Sequence, residues 1–268
     1  MDIVKEYKPG AFCWVELATS DSDAAKDFYT QLFDWSFADH PVDENMVYTM
    51  LRIGEQDVAA LYGMKEEQKS RGIPPHWNSY VSVVNADEIV EKAKSLGGTA
   101  FTDAFDVFDA GRMAQLADPT GAVFAIWQPN KHIGAKLVNQ TGTFCWNELY
   151  TTDPEKAGAF YSSLFGWKAN DEDMGEMGTY TIFMNGERMN AGMMKISEQM
   201  GPIPPNWLVY FSVDDCDAAA EKATSLGATT AVPPMDIPEV GRFSTLMDPQ
   251  GAAFSVIKLN NTEAPEIM

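Results

Sequence analysis

The amino-acid sequence predicts an α+β protein with two tandem domains, each built from two successive βαβββ modules. One observation behind this prediction is an internal repeat, because the hexapeptide at residues 12–17 (FCWVEL) returns at residues 144–149 as FCWNEL. Another is the order of strand-like and helix-like segments, which is the same in both halves. A length of 268 residues gives each half enough chain to bury a core.

The repeat keeps a nearly constant offset, 132 positions early in the domain and 130 positions later. Its recurring pieces are Phe28-Tyr29 with Phe160-Tyr161, Ile73-Pro74-Pro75 with Ile203-Pro204-Pro205, and Asp118-Pro119 with Asp248-Pro249. The predicted organisation is a first domain at residues 1–128, a linker at 129–141, a second domain at 142–259 and a loose polar tail at 260–268.

The first module of each domain begins with an aromatic strand and continues into a helix. Asp21 is a candidate N-cap for a helix that runs to Phe33, and Asp153-Pro154 gives a similar start in the second half. The pattern then predicts two strands, at residues 47–53 and 58–62.

The second module repeats this order with its own helix. Asn85 is a candidate N-cap and Gly97 a candidate C-terminal glycine for that helix. The tetrapeptide DPTG at residues 118–121 predicts a turn before the last strand. The predicted strands of this module are residues 77–84, 101–108, 112–116 and 123–127.

The composition excludes several classes of partner. With 19 Lys+Arg and 39 Asp+Glu, the formal net charge is −20, which disfavours binding to nucleic acid and to anionic membranes. The charge suits either a cationic ligand or simply a soluble acidic surface. Three cysteines without a CxxC spacing predict neither a disulfide framework nor a zinc finger. Without a signal-like or long apolar run, the expected location is cytoplasmic.

This double βαβββ pattern resembles the vicinal oxygen chelate superfamily, which includes glyoxalase I, extradiol dioxygenases and bleomycin-resistance proteins. The residues that carry the resemblance are the Phe-Tyr pair of the first helix and the DPxG turn, in both halves. The resemblance covers nearly the whole chain. Within the superfamily, the chain most resembles tandem two-domain glyoxalase-like proteins. The resemblance implies two glyoxalase/bleomycin-resistance-like domains, each a curved, cup-shaped mixed sheet. A shared fold does not define the chemistry, because this fold hosts several.

The resemblance also implies a divalent metal held by two His and one Glu, but this sequence departs from that pattern. The positions that correspond to the metal ligands carry Trp, whose indole N–H is only a donor, and residues such as Ala and Leu, which offer no ligand atom. The usual metal site is therefore expected to be absent, and no cofactor is predicted. A metal between His76 and Glu16 is the remaining alternative. The aligned ligand positions carry Trp14 and Trp146, Asn78 and Leu208, and Ala125 and Ser255.

Strand alternation predicts what lines each cup instead, because side chains two positions apart share a face. A carboxylate among aromatic rings can have a raised pKa and act as a general acid or base. Glu16 and Glu148 are therefore the candidate catalytic residues. The alternative is a structural carboxylate held by backbone donors or by Arg112 or Arg242. The candidate substrate-binding residues are Trp14, Asn78, Tyr80, Trp127, Trp146 and Tyr210.

Three functional hypotheses follow from this lining. The first is a metal-independent site for a small cationic or aromatic molecule, in a lyase, isomerase or hydroxylase-like enzyme. The second is a binding protein that sequesters a drug or metabolite without changing it. The third is an interaction protein that has lost its site. Either a monomer or a homodimer is compatible with two tandem domains.

Overall fold

The computed structural model describes residues 3–44, 46–175 and 178–260. The first domain contains β1 Phe12–Thr19, α1 Ser22–Phe33, β2 Ser36–Asp43, β3 Met46–Ile53, β4 Gln56–Gly63, α2 Glu66–Ser70, β5 His76–Ser82, α3 Ala86–Ser95, β6 Thr99–Ala100, β7 Phe105–Val107, β8 Gly111–Ala117 and β9 Val123–Pro129. The second contains β10 Phe144–Thr151, α4 Pro154–Phe165, β11 Lys168–Asp173, β12 Thr179–Asn185, β13 Arg188–Lys195, a short 3-10 turn at Glu198–Met200, β14 Asn206–Ser212, α5 Cys216–Ser225, β15 Thr229–Ile237, β16 Gly241–Met247 and β17 Ala253–Leu259.

Each half forms one mixed sheet with the same topology. The strand order is β2-β3-β4-β1-β5-β9-β8-β6 in the first sheet, with β7 also paired to β8. The second sheet has the order β11-β12-β13-β10-β14-β17-β16-β15. The opening strand of each domain therefore lies at the centre, parallel to one neighbour and antiparallel to the other. The predicted α+β fold with paired βαβββ modules is confirmed.

The predicted helix caps are present. The Asp21 side chain accepts a hydrogen bond from the Ala24 amide at 3.1 Å and starts α1. Asp153 caps α4 in the same way, and Asn85 caps α3. Each cap satisfies an amide that the first helical turn leaves without a partner.

Two edge segments differ from the prediction. β2 is almost entirely exposed, so it carries no alternation of apolar and polar residues and was not predicted. The predicted strand at 101–108 is wrong, because within it the chain forms only the short β7, and the two-residue β6 ends just before it. Phe101 and Phe108 are 54% and 78% exposed, so these apolar side chains are not buried as those of a core strand would be.

The two domains share one core because the helices of one domain pack against helices of the other. α1 contacts α5, and α3 contacts α4. The Phe33 ring lies 5.0 Å from that of Phe211, and Phe124 lies 5.5 Å from Tyr161. The sheets are thus joined through the faces that carry the helices.

The repeated motifs meet across this interface. The Tyr29 hydroxyl accepts a hydrogen bond from Trp77 Nε1 and donates one to Asp248 Oδ2, both at 3.0 Å. Tyr161 lies in the matching place, where burial and the charge of Asp118 raise the pKa of its hydroxyl. The tyrosine of each Phe-Tyr pair therefore lies against the aspartate of the other domain's DPxG turn.

The segment predicted as a linker packs along the first domain while it connects the sheets. The Ala135 amide donates to the Cys13 carbonyl at 2.8 Å, and Ala135 and Leu137 are fully buried. Gly134 has φ +111°, and a Cβ there would lie 2.2 Å from the Cys13 carbonyl oxygen, so this close approach requires glycine. The exact domain boundaries stay a prediction, and residues 261–268 of the predicted tail lie outside the described residues.

The structure also bears on the cysteines and on membrane spans. Cys13, Cys145 and Cys216 are all buried and free. Over the described ranges, no helix has the length and apolar character needed to cross a bilayer.

Candidate functional site

Each sheet has a second face, turned away from the shared helices. Trp77 contacts Tyr29 of α1, so the alternate residues of β5 point to the opposite side. On that side Trp14 pairs with Tyr80 and Glu16 with Asn78. We call this face cup 1 in the first domain and cup 2, around Glu148, in the second.

One buried carboxylate lies at the centre of cup 1. Glu16 is 7% exposed and accepts hydrogen bonds from two tyrosines. Tyr48 donates to Oε2 at 2.8 Å, and Tyr80 donates to Oε1 at 2.6 Å. Trp14 Nε1 donates to the Tyr48 hydroxyl at 3.1 Å. These contacts connect the indole, two phenols and the carboxylate in one network.

Cup 2 repeats this arrangement with small changes. Glu148 is 6% exposed, and Tyr180 donates to its Oε2 at 2.7 Å. Trp146 Nε1 lies within hydrogen-bond distance of both, at 3.3 Å from the Glu148 oxygen and 3.2 Å from the Tyr180 hydroxyl. Tyr150 is a further donor to Glu148 and accepts from the Tyr210 hydroxyl. Tyr210 therefore connects to the carboxylate through Tyr150, whereas its counterpart Tyr80 binds Glu16 directly.

Burial dominates the electrostatics of both carboxylates. It raises the pKa of Glu16, and the hydrogen bonds from Tyr80 and Tyr48 offset only part of that rise. Burial likewise raises the pKa of Glu148 against the donors Tyr180, Trp146 and Tyr150. The tyrosine pKa values are raised by burial and by the glutamate charge, so the phenols stay protonated donors.

A third tyrosine comes from a different strand in each cup. In cup 1 it is Tyr62 on β4, which lies opposite Ala18 of β1. In cup 2 it is Tyr150 on β10, which lies opposite Met194 of β13. The exchange occurs between cross-strand partners, so it keeps an aromatic ring in the same part of the cup while it changes the hydrogen-bond partners.

The remaining predicted residues of cup 1 lie close by. The Trp127 ring is 6.5 Å from Tyr80, and its Nε1 donates to the His132 carbonyl at 2.7 Å. The His132 ring contacts Trp14 edge-on at 4.7 Å, so the segment predicted as a linker supplies part of the lining. Asn78 accepts a hydrogen bond from Gln115 at 3.3 Å and lies opposite Glu16. Their roles in binding stay predictions.

Several lining residues were not predicted from the sequence. Two of them, Tyr48 and Tyr180, had a signal in the sequence, because the pair Tyr48-Thr49 recurs as Tyr180-Thr181 at the same offset as the hexapeptide. His132 gave no signal, because it lies outside the repeated segments. The unpredicted lining residues are Tyr48, Tyr62, His132, Tyr150 and Tyr180.

The alternative in which an arginine holds the glutamates is wrong. Arg112 binds Asp87 and Asp106 instead, at 2.8 and 3.0 Å. Arg242 makes the equivalent ion pairs with two aspartates of the second domain. The donors to Glu16 and Glu148 are neutral phenols and an indole.

The side chains of the cups do not fit the divalent metal that the family resemblance implies. Cup 1 offers one carboxylate surrounded by phenols that burial keeps protonated, and a protonated phenol is a poor ligand. His76 is half-buried, and its Nδ1 lies 2.8 Å from the Pro74 carbonyl. No group of three or more His, Cys, Asp or Glu side chains within the described residues could hold a metal ion.

The aromatic rings fill much of both cups. Trp14, Tyr80 and Tyr210 are each 4% exposed. In cup 2, Trp146 and Tyr180 are only half-buried, so their rings form the accessible rim above Glu148. A ligand would contact these rings before it reached the carboxylate.

Comparison with known proteins relates this geometry to a family. The model of the Glyoxalase/Bleomycin resistance protein/Dioxygenase superfamily matches residues 12–126 and again 138–256. The chain is 44% identical over 254 residues to “Putative glyoxylase CFP32” of Mycobacterium bovis, covering 94% of this chain and 96% of that protein. It is 34% identical to “Anthracycline biosynthesis protein DauV” of Streptomyces sp. strain C5, covering 94% of each.

Solved structures show the same fold. The Mn(II)-bound glyoxalase from Novosphingobium aromaticivorans superimposes with a TM-score of 0.66 at 15% identity, covering 94% of this chain and 82% of that one. The resemblance inferred from the sequence is therefore confirmed. The chain belongs to the Glyoxalase/Bleomycin resistance protein/Dioxygenase superfamily, as two tandem copies of its domain.

Proposed function

We propose that each cup binds a small organic molecule without a metal, and that Glu16 and Glu148 exchange a proton with it. The activity would be that of a metal-independent lyase, isomerase or hydroxylase-like enzyme. The observation that carries the proposal recurs in both halves. A buried glutamate accepts a hydrogen bond from a tyrosine two strands away in the sheet, Tyr48 or Tyr180, and a Trp indole donates to the same network.

The surroundings of the glutamates suit proton transfer. A carboxyl with a raised pKa holds a proton more readily near neutral pH than an exposed glutamate does. Tyr48 and Tyr80 fix the orientation of both Glu16 oxygens. The aromatic rings exclude water, which strengthens electrostatic interactions between the carboxylate and a bound molecule.

The relatives support an organic ligand of this kind. One is named as a glyoxylase and another as an anthracycline biosynthesis protein. Anthracyclines are fused-ring aromatic molecules, and a cup lined by Trp and Tyr rings favours aromatic ligands. We therefore favour a small aromatic substrate for at least one cup.

The second candidate function is sequestration without chemical change. It is favoured by the satisfied hydrogen bonds of Glu16, because a carboxylate with two tyrosine donors already performs a structural role. The net charge of −20 would attract a basic drug to such a binding protein.

One experiment separates the two functions. Chelator-treated protein is incubated with catechol, an anthracycline and the hemithioacetal of methylglyoxal and glutathione, and the products are analysed by mass spectrometry. Conversion by the wild type that is lost in E16Q/E148Q, and retained in the exposed control E67Q, supports the enzyme. Saturable binding with full recovery of the unchanged molecule supports sequestration and overturns the proposed catalysis.

A further inference from the structure

We infer that the molecule recognised by the two cups carries a positive charge, as an organic ammonium group held between the glutamate and the aromatic rings. The inference deepens the proposed function and rests on it, because it defines the chemical class of the ligand that the cups bind.

The two buried carboxylates have no cationic partner within the described part of the chain. Among the described residues, no ion pair includes Glu16 or Glu148. Their hydrogen-bond donors are neutral Tyr and Trp side chains. Removing an ionised carboxylate from water is costly unless an opposite charge compensates it, so a bound cation would relieve a cost that the chain itself leaves in place.

Aromatic side chains lie around each of the two carboxylates. The faces of Trp and Tyr attract cations, and cages of such rings recognise ammonium groups. In cup 2 the half-buried rings of Trp146, Tyr150 and Tyr180 lie around Glu148, within one hydrogen-bonded network. These rings are the accessible part of the cup, so a cation would meet them on its way to the carboxylate.

The combination of a buried carboxylate with aromatic rings occurs in both cups, although the strands that supply the rings differ. The third tyrosine belongs to β4 in cup 1 and to β10 in cup 2. The aromatic ring is kept in the same part of the cup although a different strand supplies it. A cage around a cation needs a ring there, because the cation contacts the rings from several sides.

The charge of the whole protein points in the same direction. A formal net charge of −20 raises the local concentration of cations near the protein surface. It would act against an anionic ligand approaching the same buried carboxylates.

The test uses two probes of nearly the same shape that differ in charge. Choline carries a trimethylammonium group, and 3,3-dimethylbutan-1-ol carries a neutral tert-butyl group in its place. Their binding is measured by calorimetry and by tryptophan fluorescence on the full chain, with E16Q, E148Q and the double variant. E67Q serves as the matched control, because Glu67 is exposed on α2 and its replacement removes the same charge.

We expect choline to bind at least about tenfold more tightly than its neutral isostere, since the carboxylate and the rings both favour the charged form. Binding of choline should weaken in E16Q and E148Q and should be unchanged in E67Q. Equal binding of the two probes, no binding of choline, or full binding by E16Q/E148Q would each overturn the cationic ligand. The comparison of probes on the wild type needs no variant, so it decides the inference even if the double variant does not fold.

The outcome is distinguishable from failure of the proposed function. If choline does not bind while the catechol or hemithioacetal probe is bound through Glu16 and Glu148, the metal-free cup stands and only the cationic class is wrong.

Discussion

Replacing Tyr29 by phenylalanine tests the account of how the two domains are joined. The lost hydroxyl has two buried partners, Trp77 Nε1 and Asp248 Oδ2, each at 3.0 Å. Trp77 is 5% exposed and Asp248 is 4% exposed, so water does not readily replace the hydroxyl. The substitution leaves the ring packed and removes only the oxygen.

The magnitude follows from the two partners that are left without a hydrogen bond. A bond to a charged group contributes about 1.5–3 kcal/mol, and an unsatisfied buried donor costs about 1–3 kcal/mol. Together the two contributions span about 2.5–6 kcal/mol. Because Asp248 keeps its backbone donors at Gln250 and Ala252, we expect a total loss near the lower end of this span, about 3 kcal/mol. With an m-value of about 3 kcal/mol per M urea, the unfolding midpoint falls by about 1 M.

The assay is urea unfolding followed by tryptophan fluorescence and by far-ultraviolet circular dichroism. Y161F is the matched comparison. The Tyr161 hydroxyl accepts from Trp207 at 2.9 Å and lies beside Asp118, but among the described residues no hydrogen bond of normal geometry reaches Asp118 Oδ2. Its midpoint should fall by roughly half as much. A midpoint of Y29F equal to that of the wild type, or a larger loss in Y161F, would refute the reasoning.

Three further predictions concern the cups and the linker. A Cβ at Gly192 would lie 2.0 Å from the Tyr180 hydroxyl oxygen, so Gly192→Ala should destabilise the chain by about 1–3 kcal/mol in urea and weaken ligand binding in cup 2; unchanged binding would contradict this. The raised pKa values of Glu16 and Glu148 mean that the folded chain holds their protons more tightly. Their protonation favours folding below the usual pKa of 4.5, and this contribution is lost as the pH rises through the raised pKa. The difference in stability between the wild type and E16Q/E148Q should therefore shift against the wild type above pH 4.5. A difference that is independent of pH would contradict burial of the two glutamates among neutral donors. Gly134→Ala should lower the melting temperature through its clash with the β1 backbone, whereas Gly121→Ala, which meets no neighbouring atom, isolates the cost of a positive φ; equal effects would argue against the close packing of the linker.

Much of the fold could be predicted because its signals are local. The repeated hexapeptide and the caps at Asp21 and Asn85 depend on residues within a few positions of one another. The exposed strand β2 lacked such a signal, since its stability comes from pairing with β3 rather than from burial. In the same way, Phe101 suggested a strand although its side chain is exposed.

The cup could be predicted only in part. Strand alternation correctly placed Glu16 beside Trp14 and Tyr80 on one face, because that argument needs only neighbouring strands. Tyr48 reaches the carboxylate from β3, which is two strands away from β1 in the sheet, so its contact depends on register and curvature. The exchange between Tyr62 and Tyr150 breaks the repeat itself and could not be found by aligning the halves.

The most direct test of the central claim is a binding titration before and after removal of metal ions. The wild type is treated with a chelator, and its binding of choline and of the organic probes is followed by calorimetry alongside E16Q/E148Q. The account predicts saturable binding that survives the chelator and is lost in the double variant. Binding that disappears with the chelator and returns with Mn²⁺, or that persists without both glutamates, would contradict it.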